Sequence, residues 1–482
     1  MTVPSKSKIL NSVLWSGVRV WGNRLGGIMI FFVLARLLSP EDMGVYAVIW
    51  SILLFLEVFT EQGLADAIIQ SKQIKSNQLN TVFVINLVMA LLIAIAIILN
   101  ADKIASLVNM PEIATSLQVA TLALIFNAIG FCQLALYRRN FEYRWLAIRT
   151  LTATVISGAV GITMAFYGYG AWALIVQFIL AALINTVWLW IRPLWKPSFD
   201  FTLNGLKDLM KFSVKLMSAR LFDATSTRAF EFVIAVWLGA ATLGIYTVGS
   251  RIYTVMLQLL SNVILDVAHS GFSRLVDDKT KFLNSYYKSI IATASIAVPT
   301  FVILAAVASE FCVALFGAKW AESGNILHIL ALLGAVQAVQ QINIAAINGL
   351  GFTGVQFIVA FLRALGTMAV LLMYGHGNLI LLTLAYCIIQ LPLCPISFIL
   401  GKKHIQFNWR DLMVKTYPFI IGSAAAYYAI YYVRSVYPYN NVWLALISLS
   451  FLGLIVYIVS VLLIRPQYLK VAFFYLQNKN TT

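Results

Sequence analysis

The stretch FSVKLMSARLFDATSTRAFEFVIAVWL, residues 212–238, is about the length of a membrane-spanning helix, yet it carries four charged side chains near its middle. They are Arg220, Asp223, Arg228 and Glu231. A charge at the bilayer centre costs about 2.5–3.5 kcal/mol on insertion scales, so we expect these side chains to face protein or a wet cavity. Ion pairs that pack this helix against its neighbours would meet the same requirement. Further charged helices elsewhere in the chain favour the cavity.

The composition is that of an integral membrane protein. Of 482 residues, 61% are hydrophobic and only 11% are charged, whereas soluble domains carry about 25% charged residues. The net charge of +16 does not by itself indicate nucleic acid, because basic residues also mark cytoplasmic loops. The four cysteines lie scattered in apolar segments without metal or redox spacing. We therefore expect no metal, no cofactor and no disulfide framework.

Apolar runs separated by short polar loops predict an all-α polytopic membrane protein with about fourteen transmembrane helices. The predicted helices cover about 10–37, 43–69, 80–99, 113–136, 145–167, 170–191, 206–238, 241–268, 286–309, 324–348, 354–374, 378–400, 412–433 and 441–464. We expect residues 1–196 to form an N-terminal lobe of six helices and 197–401 a C-terminal lobe of six. Residues 402–482 would add two helices and a tail.

Loop charges predict the orientation. Lysine and arginine are concentrated in alternate loops, such as those containing Lys72 and Lys75 or Arg138 and Arg139. The opposite loops hold only Lys103, Lys319 and Arg434, with Arg36 at a helix end. By the positive-inside rule, both termini are expected in the cytoplasm.

The chain also repeats itself. LARLLSPEDMGVYAV at 34–48 matches VIAVWLGAATLGIYTV at 233–248, which pairs Gly44 with Gly244. Further on, FYGYGAWAL at 166–174 is similar to MYGHGNLIL at 373–381. Two six-helix lobes that start on the same side of the membrane are parallel repeats, related by a pseudo-twofold axis along the membrane normal. Chance similarity of apolar segments is the alternative, and the matched loop glycines argue against it.

Several segments resemble one family of membrane proteins. They are EQGLADAIIQSKQI at 61–74, LALYRRNFEYRWLA at 134–147, LFGAKW at 315–320 and the long seventh helix. With the predicted layout, they resemble the polysaccharide exporters and oligosaccharide flippases of the multidrug/oligosaccharidyl-lipid/polysaccharide (MOP) superfamily. The resemblance implies alternating-access translocation of a polyprenyl-diphosphate-linked oligosaccharide across the bacterial inner membrane, from the cytoplasmic to the periplasmic leaflet, for surface polysaccharide biosynthesis. It also implies membrane-lipid contact, coupling to H⁺, Na⁺ or membrane potential, and polysaccharide polymerases as possible partners.

Arginines are the predicted ligands for a diphosphate, because the guanidinium group stays charged and donates hydrogen bonds bidentately. The candidates lying deep in predicted helices are Arg24, Arg220, Arg228, Arg251 and Arg363. Arg19 and Arg149 lie nearer the cytoplasmic helix ends, where snorkelling of the side chain explains them. Gln337 and Gln341 are candidates for binding sugar hydroxyls, although ordinary contacts between helices would use the same amides.

Carboxylates supply the opposite charge. The candidates for carrying a coupling ion are Glu57, Glu61, Asp223 and Glu231, because burial can raise the pKa of a carboxyl group towards neutrality. Permanent salt bridges with arginines are an equally good explanation from sequence alone. Asp66 and Asp266 stand at equivalent helix ends in the two lobes and are interpreted as paired gate or capping residues.

Catalysis has little support in the sequence. Motifs such as H-E-x-x-H, Walker A and G-x-S-x-G are absent, and the four histidines are dispersed. A membrane glycan polymerase or ligase is a weak alternative, because every predicted outer loop is short. A drug/cation antiporter of the same superfamily is a nearer alternative, but its cavity should favour carboxylates over this many arginines.

Overall fold

The computed structural model describes residues 6–61, 64–71, 74–198, 200, 228–275, 278–352, 354–375, 377–437 and 439–466. Every regular element in these ranges is a helix, and no strand occurs among them. Eleven helices of the described residues are long and apolar enough to cross a membrane. The all-α polytopic fold class is therefore confirmed. The count of fourteen stays a prediction, because most of the seventh predicted helix lies outside the described residues.

The chain divides into two compact units, Met1–Gly244 and Ile245–Thr482. The first unit contains α1 Lys6–Leu37, α2 Pro40–Glu61, α3 Leu64–Gln70, α4 Ser76–Leu107, α5 Ile113–Ala120, α6 Leu122–Arg139, α7 Tyr143–Phe166, α8 Ala171–Ile191 and α9, residues 228–238. Helix α10, Ala240–Arg274, crosses the boundary between the units. The predicted division at 196/197 and 401/402 is a different partition of the chain and stays a prediction.

The second unit continues with α11 Lys279–Ala306, α12 Ala308–Phe316, a short 3-10 turn Ala318–Trp320, α13 Ala321–Gly349, α14 Gly354–Tyr374, α15 Leu379–Gln390, α16 Leu393–Ile405, α17 Trp409–Val436 and α18 Val442–Ile464. Helix α11 packs along α13 and α17, and α17 packs along α18. A cluster of buried aromatic and aliphatic side chains from α10, α11, α13 and α16 forms its core. This unit therefore has a core of its own.

Two repeat-related glycines hold α2 and the start of α10 in close contact. A methyl group added at Gly44 would lie 1.8 Å from the backbone oxygen of Ala240. A methyl group added at Gly244 would lie 1.8 Å from the backbone oxygen of Pro40. The two contacts are reciprocal, as a local twofold relation between residues 40–44 and 240–244 requires. The pairing of Gly44 with Gly244 in the sequence repeat therefore marks a real backbone contact.

The carboxylate of Asp42 fixes the starts of two helices. One oxygen accepts hydrogen bonds from the backbone N–H and the hydroxyl of Ser39, at 3.0 and 2.7 Å, before α2. The other accepts from the backbone N–H of Ala171 in α8, at 3.0 Å. Gly170, with φ of +53°, leaves room for it, since a methyl group there would lie 2.5 Å from the carboxylate. One acidic side chain thus satisfies N–H groups of two helix N-termini.

The second repeat solves the same capping problem differently. The repeat alignment places Thr242, which has no carboxylate, at the position of Asp42, and it places Asn378 at the position of Ala171. The side chain of Asn378 accepts a hydrogen bond from the backbone N–H of Ile380 at 2.8 Å and so caps α15 directly. The capping group has moved from a neighbouring helix in one half to the residue just before the capped helix in the other.

We predict that Gly44→Ala or Gly244→Ala lowers the melting temperature Tm of the purified protein. Each added methyl group would overlap a backbone oxygen that cannot swing aside, and overpacking of this kind typically costs about 1–3 kcal/mol. Thermal unfolding in detergent, followed by intrinsic fluorescence, measures the effect. Gly27→Ala is the matched control, because nothing lies within 4 Å of a methyl group there and alanine favours a helix over glycine. A Tm for Gly44→Ala as high as that of Gly27→Ala would contradict the contact.

Candidate functional site

The described part of the charged stretch at 212–238 forms an ion pair on α9. The Arg228 guanidinium lies 2.8 Å from the Glu231 carboxylate, and the two side chains are 28% and 24% exposed. Residues three apart are neighbours on a helix surface, so the sequence spacing allows this pair. The same carboxylate oxygen accepts a hydrogen bond from the Ser51 hydroxyl of α2 at 2.5 Å. Glu231 is therefore tied both to its own helix and to α2.

Glu57 lies further along α2 and also has a neutral partner. The side-chain amide of Asn127 in α6 donates a hydrogen bond to the Glu57 carboxylate at 3.2 Å, and Glu57 is half-buried. Two candidate coupling residues, Glu57 and Glu231, thus have described environments, and each accepts from a polar side chain of another helix. Glu231 is in addition paired with Arg228, and the coupling role of both carboxylates stays a prediction.

Arg24 lies on a face of α1 that points away from α7. Gly22 and Gly26 approach α7, where added methyl groups would lie 2.7 Å from Leu151 and 3.3 Å from Thr154. At 100° per residue, Arg24 projects about 160–200° from these two glycines. It is half-buried and makes no ion pair with another described residue. Arg24 therefore stays a candidate for binding an anion.

In the second unit, polar groups of four helices lie around Tyr253 of α10. The Tyr253 hydroxyl donates a hydrogen bond to the Gln337 side chain of α13 at 2.5 Å. The Arg363 guanidinium of α14 acts electrostatically on Tyr253 and on Tyr386 of α15. Gln341 lies one turn beyond Gln337 on the same face of α13 and is half-buried. This arrangement combines a cation with hydroxyl and amide groups, the groups that bind a phosphorylated sugar.

The other polar amides of α13 have structural partners. Gln340 donates to the backbone oxygen of Leu393 at 3.1 Å, and Asn343 donates to that of Ser397 at 2.9 Å. Asn343 also accepts from the Tyr286 hydroxyl at 2.9 Å. These bonds join α13 to α16 and α11. Gln340 and Asn343 therefore serve contacts between helices, and sugar binding by Gln337 and Gln341 stays a prediction.

Arg251, like Arg363, is an exposed side chain of the second unit. Arg220 and Asp223 lie outside the described residues. The backbones at Glu61, Asp66 and Asp266 are helical, but their side chains are not among those described. No group of three or more His, Cys, Asp or Glu side chains among the described residues could hold a metal ion.

Sequence reasoning missed the polar partners of the candidate site residues. Ser51, Asn127 and Tyr253 each form a hydrogen bond to a candidate site residue. The available signal was weak, because each partner lies on a helix far away in the sequence. Only the packing of the helices shows which polar residues meet.

Residues 33–325 match the family model described as polysaccharide biosynthesis protein. The chain belongs to this family. The succinoglycan biosynthesis transport protein ExoT of Rhizobium meliloti is 24% identical over 473 residues, which cover 97% of this chain and 95% of ExoT. The lipopolysaccharide biosynthesis protein WzxC of Escherichia coli is 24% identical over 340 residues, covering 69% of this chain and 68% of WzxC.

Solved structures with the same fold come from the superfamily that the sequence resembles. The lipid II flippase MurJ, in an inward closed conformation, superposes with a TM-score of 0.76 at 16% identity, covering 95% of this chain and all of MurJ. An inward-facing multidrug resistance MATE transporter of the MOP superfamily gives a TM-score of 0.59 at 15% identity, covering 81% of this chain and 98% of the transporter. This polysaccharide biosynthesis protein therefore has a MurJ- and MATE-like fold, and the predicted family resemblance is confirmed.

We predict that Arg228 and Glu231 have a role in transport beyond their ion pair. Arg228→Gln should reduce both the amount of protein in the membrane and transport, because it leaves a half-buried carboxylate with Ser51 as its one described partner. The double variant Arg228→Gln/Glu231→Gln should restore the amount of protein but not transport. Immunoblotting of membranes measures the first quantity, and surface glycan measures the second.

Ser51→Ala is the matched control for this pair, since it removes the neutral donor and keeps both charges. It should retain most transport. If the double variant restores transport together with protein, Arg228 serves the ion pair alone and is not a substrate ligand.

Proposed function

We propose that this protein is a flippase that moves a polyprenyl-diphosphate-linked oligosaccharide from the cytoplasmic to the periplasmic leaflet of a bacterial inner membrane. The observation that carries the proposal is the full-length similarity to a succinoglycan biosynthesis transport protein. A fold shared with a lipid II flippase supports it. The transported glycan would then be used in surface polysaccharide biosynthesis, and transport rather than catalysis would be the protein's activity.

The arginines provide the chemical argument for this substrate. A lipid diphosphate carries its charge at the join between an apolar tail and a polar glycan. Arg24, which has no described ion pair, and Arg363, beside two tyrosines, offer bidentate donors for such an anion. We assign the same role to Arg220, Arg228 and Arg251, and sugar contacts to Gln337 and Gln341.

Ion coupling is the second part of the proposal. Glu57 and Glu231 are half-buried carboxylates, each hydrogen-bonded to a polar side chain of another helix. Protonation or Na⁺ binding at either group would change its bonds to the neighbouring helix, which is what an alternating-access transporter requires. Glu61 and Asp223 are further candidates, and Asp66 and Asp266 are assigned to gates. The distribution of basic loops supports cytoplasmic termini.

A drug/cation antiporter is the second candidate function, and the likeness to a multidrug MATE transporter favours it. A cation-binding cavity needs carboxylates facing its ligand. Of the two candidate coupling carboxylates with described side chains, Glu57 and Glu231, the second already pairs with an arginine. The arginine-rich helices therefore favour an anionic substrate over a cationic one.

We expect deletion of the gene to deplete the corresponding surface polymer and to leave lipid-linked oligosaccharide in the cytoplasmic leaflet. Complementation with Arg363→Ala should restore transport at least about tenfold less well than the wild type, because hydrogen bonds to charged groups contribute about 1.5–3 kcal/mol. Arg363→Lys should retain partial activity, since lysine keeps the charge and loses the planar fork. Surface glycan and extracted lipid-linked oligosaccharide are measured beside membrane abundance.

Arg410→Ala is the matched control, because Arg410 is an exposed residue at the start of α17 on the predicted cytoplasmic side. It should complement fully. Unchanged surface glycan in the deletion strain, together with altered sensitivity to cationic drugs, would reject the flippase and support the antiporter.

A further inference from the structure

Arginines also gather at one end of the first unit, away from the residues assigned above. They are Arg19 on α1, Arg138 at the end of α6, and Arg144 and Arg149 in the first two turns of α7. The loop between α6 and α7 belongs to the basic set that the sequence places on the cytoplasmic side. Snorkelling of the side chain would explain each of these arginines separately. It does not explain why several of them lie at the same end of the unit.

Helix packing brings Arg19 and Arg149 to the same level. Methyl groups added at Gly22 and Gly26 of α1 would meet Leu151 and Thr154 of α7, and one added at Gly158 would lie 2.2 Å from Ile30. The contacting residue numbers rise together along both helices, so α1 and α7 run parallel. Each residue of α1 lies beside the residue of α7 that is about 128 positions later in the sequence. The same offset places Arg19 beside the helical turn that contains Arg149.

The charged residues that act on Arg149 are both positive. They are Arg138 and Arg19. The Nε atom of Arg149 is fully buried and has no hydrogen-bond partner among the described residues. Glu142, at the start of α7, acts on the hydroxyl of Tyr137. Like charges repel more strongly in a protein than in water, because the effective dielectric constant is lower, so an anion that joins such a group stabilises it.

Aromatic side chains surround the same group. The Arg19 guanidinium lies 5.5 Å from the ring centroid of Tyr143, and that of Arg144 lies 5.6 Å from the ring of Trp15. Trp145 packs edge-on against Trp188, with ring centroids 5.1 Å apart. Tryptophan and tyrosine are enriched at the depth of lipid headgroups. This aromatic environment indicates the depth of lipid headgroups for these arginines.

We infer that Arg19, Arg138 and Arg149 form a binding site for the phosphate of a lipid headgroup in the leaflet next to the cytoplasm. A phosphate offers several acceptor oxygens to a fork of N–H donors, and it neutralises three cations that have no described carboxylate partner. The chemistry is shared by an anionic phospholipid and by a polyprenyl diphosphate. The inference does not depend on which molecule the protein transports.

Native mass spectrometry of the full-length protein in detergent tests the site. The probes are phosphatidylglycerol, undecaprenyl diphosphate and, as a lipid without phosphate, undecaprenol. We expect the wild type to retain a phosphate lipid and not undecaprenol. Arg149→Gln and Arg19→Gln should each raise the Kd for that lipid about tenfold or more, as expected for the loss of a hydrogen bond between charged groups. Arg19 is half-buried, so its variant tests the site even if Arg149→Gln fails to fold.

Arg144→Gln is the matched control, because it removes one positive charge from the same end of α7 at an exposed residue that is not one of the three proposed ligands. Its Kd should change by less than about twofold, in line with the small effect of an exposed charge. Preference for undecaprenyl diphosphate over phosphatidylglycerol would identify the site with a substrate lipid, and the reverse preference would identify it with membrane phospholipid. Equal binding by the wild type, Arg19→Gln and Arg149→Gln would overturn the inference, as would equal retention of undecaprenol.

Discussion

An ionised side chain inside a membrane must be paired, hydrated or bound to a ligand, and this requirement organises the protein. Arg228 meets it through Glu231, whose carboxylate is held in turn by Ser51. The charged residues that act on Arg149 are both positive, and its buried Nε has no described partner. Arg24 makes no ion pair with another described residue. The Arg228–Glu231 arrangement suits a structural ion pair that can also take part in transport. The environments of Arg149 and Arg24 suit the binding of an anionic ligand.

These charges are useful only if the helices that carry them are held in place. The reciprocal contact of Gly44 and Gly244 allows α2 and α10 to meet backbone to backbone, and the carboxylate of Asp42 joins the starts of α2 and α8. Ser51, which holds Glu231, lies on the same α2 about two turns beyond Gly44. Close packing near the start of α2 therefore fixes the position along the helix axis at which Ser51 meets Glu231 of α9.

Much of the fold and less of the site could be predicted from the sequence. Hydropathy is a local property, so the all-α membrane fold follows from it, and the repeat identified Gly44 and Gly244 as equivalent residues before their contact was known. The hydrogen-bond partners of the candidate site residues lie far away in the sequence. Nothing near Glu57 in the chain indicates Asn127, and nothing near Gln337 indicates Tyr253. The count of fourteen helices and the lobe boundaries remain predictions.

Transport by the purified protein tests the central claim most directly. The protein would be reconstituted into liposomes that contain a polyprenyl-diphosphate-linked oligosaccharide with a fluorescent label on its glycan, and dithionite, which does not cross the membrane, would be added outside. We predict that liposomes with the protein lose nearly all fluorescence, because label from the inner leaflet is carried outwards, whereas protein-free liposomes lose only the outer-leaflet share. Loss of only the outer-leaflet share in both samples, with and without an ion gradient or a membrane potential, would contradict the account.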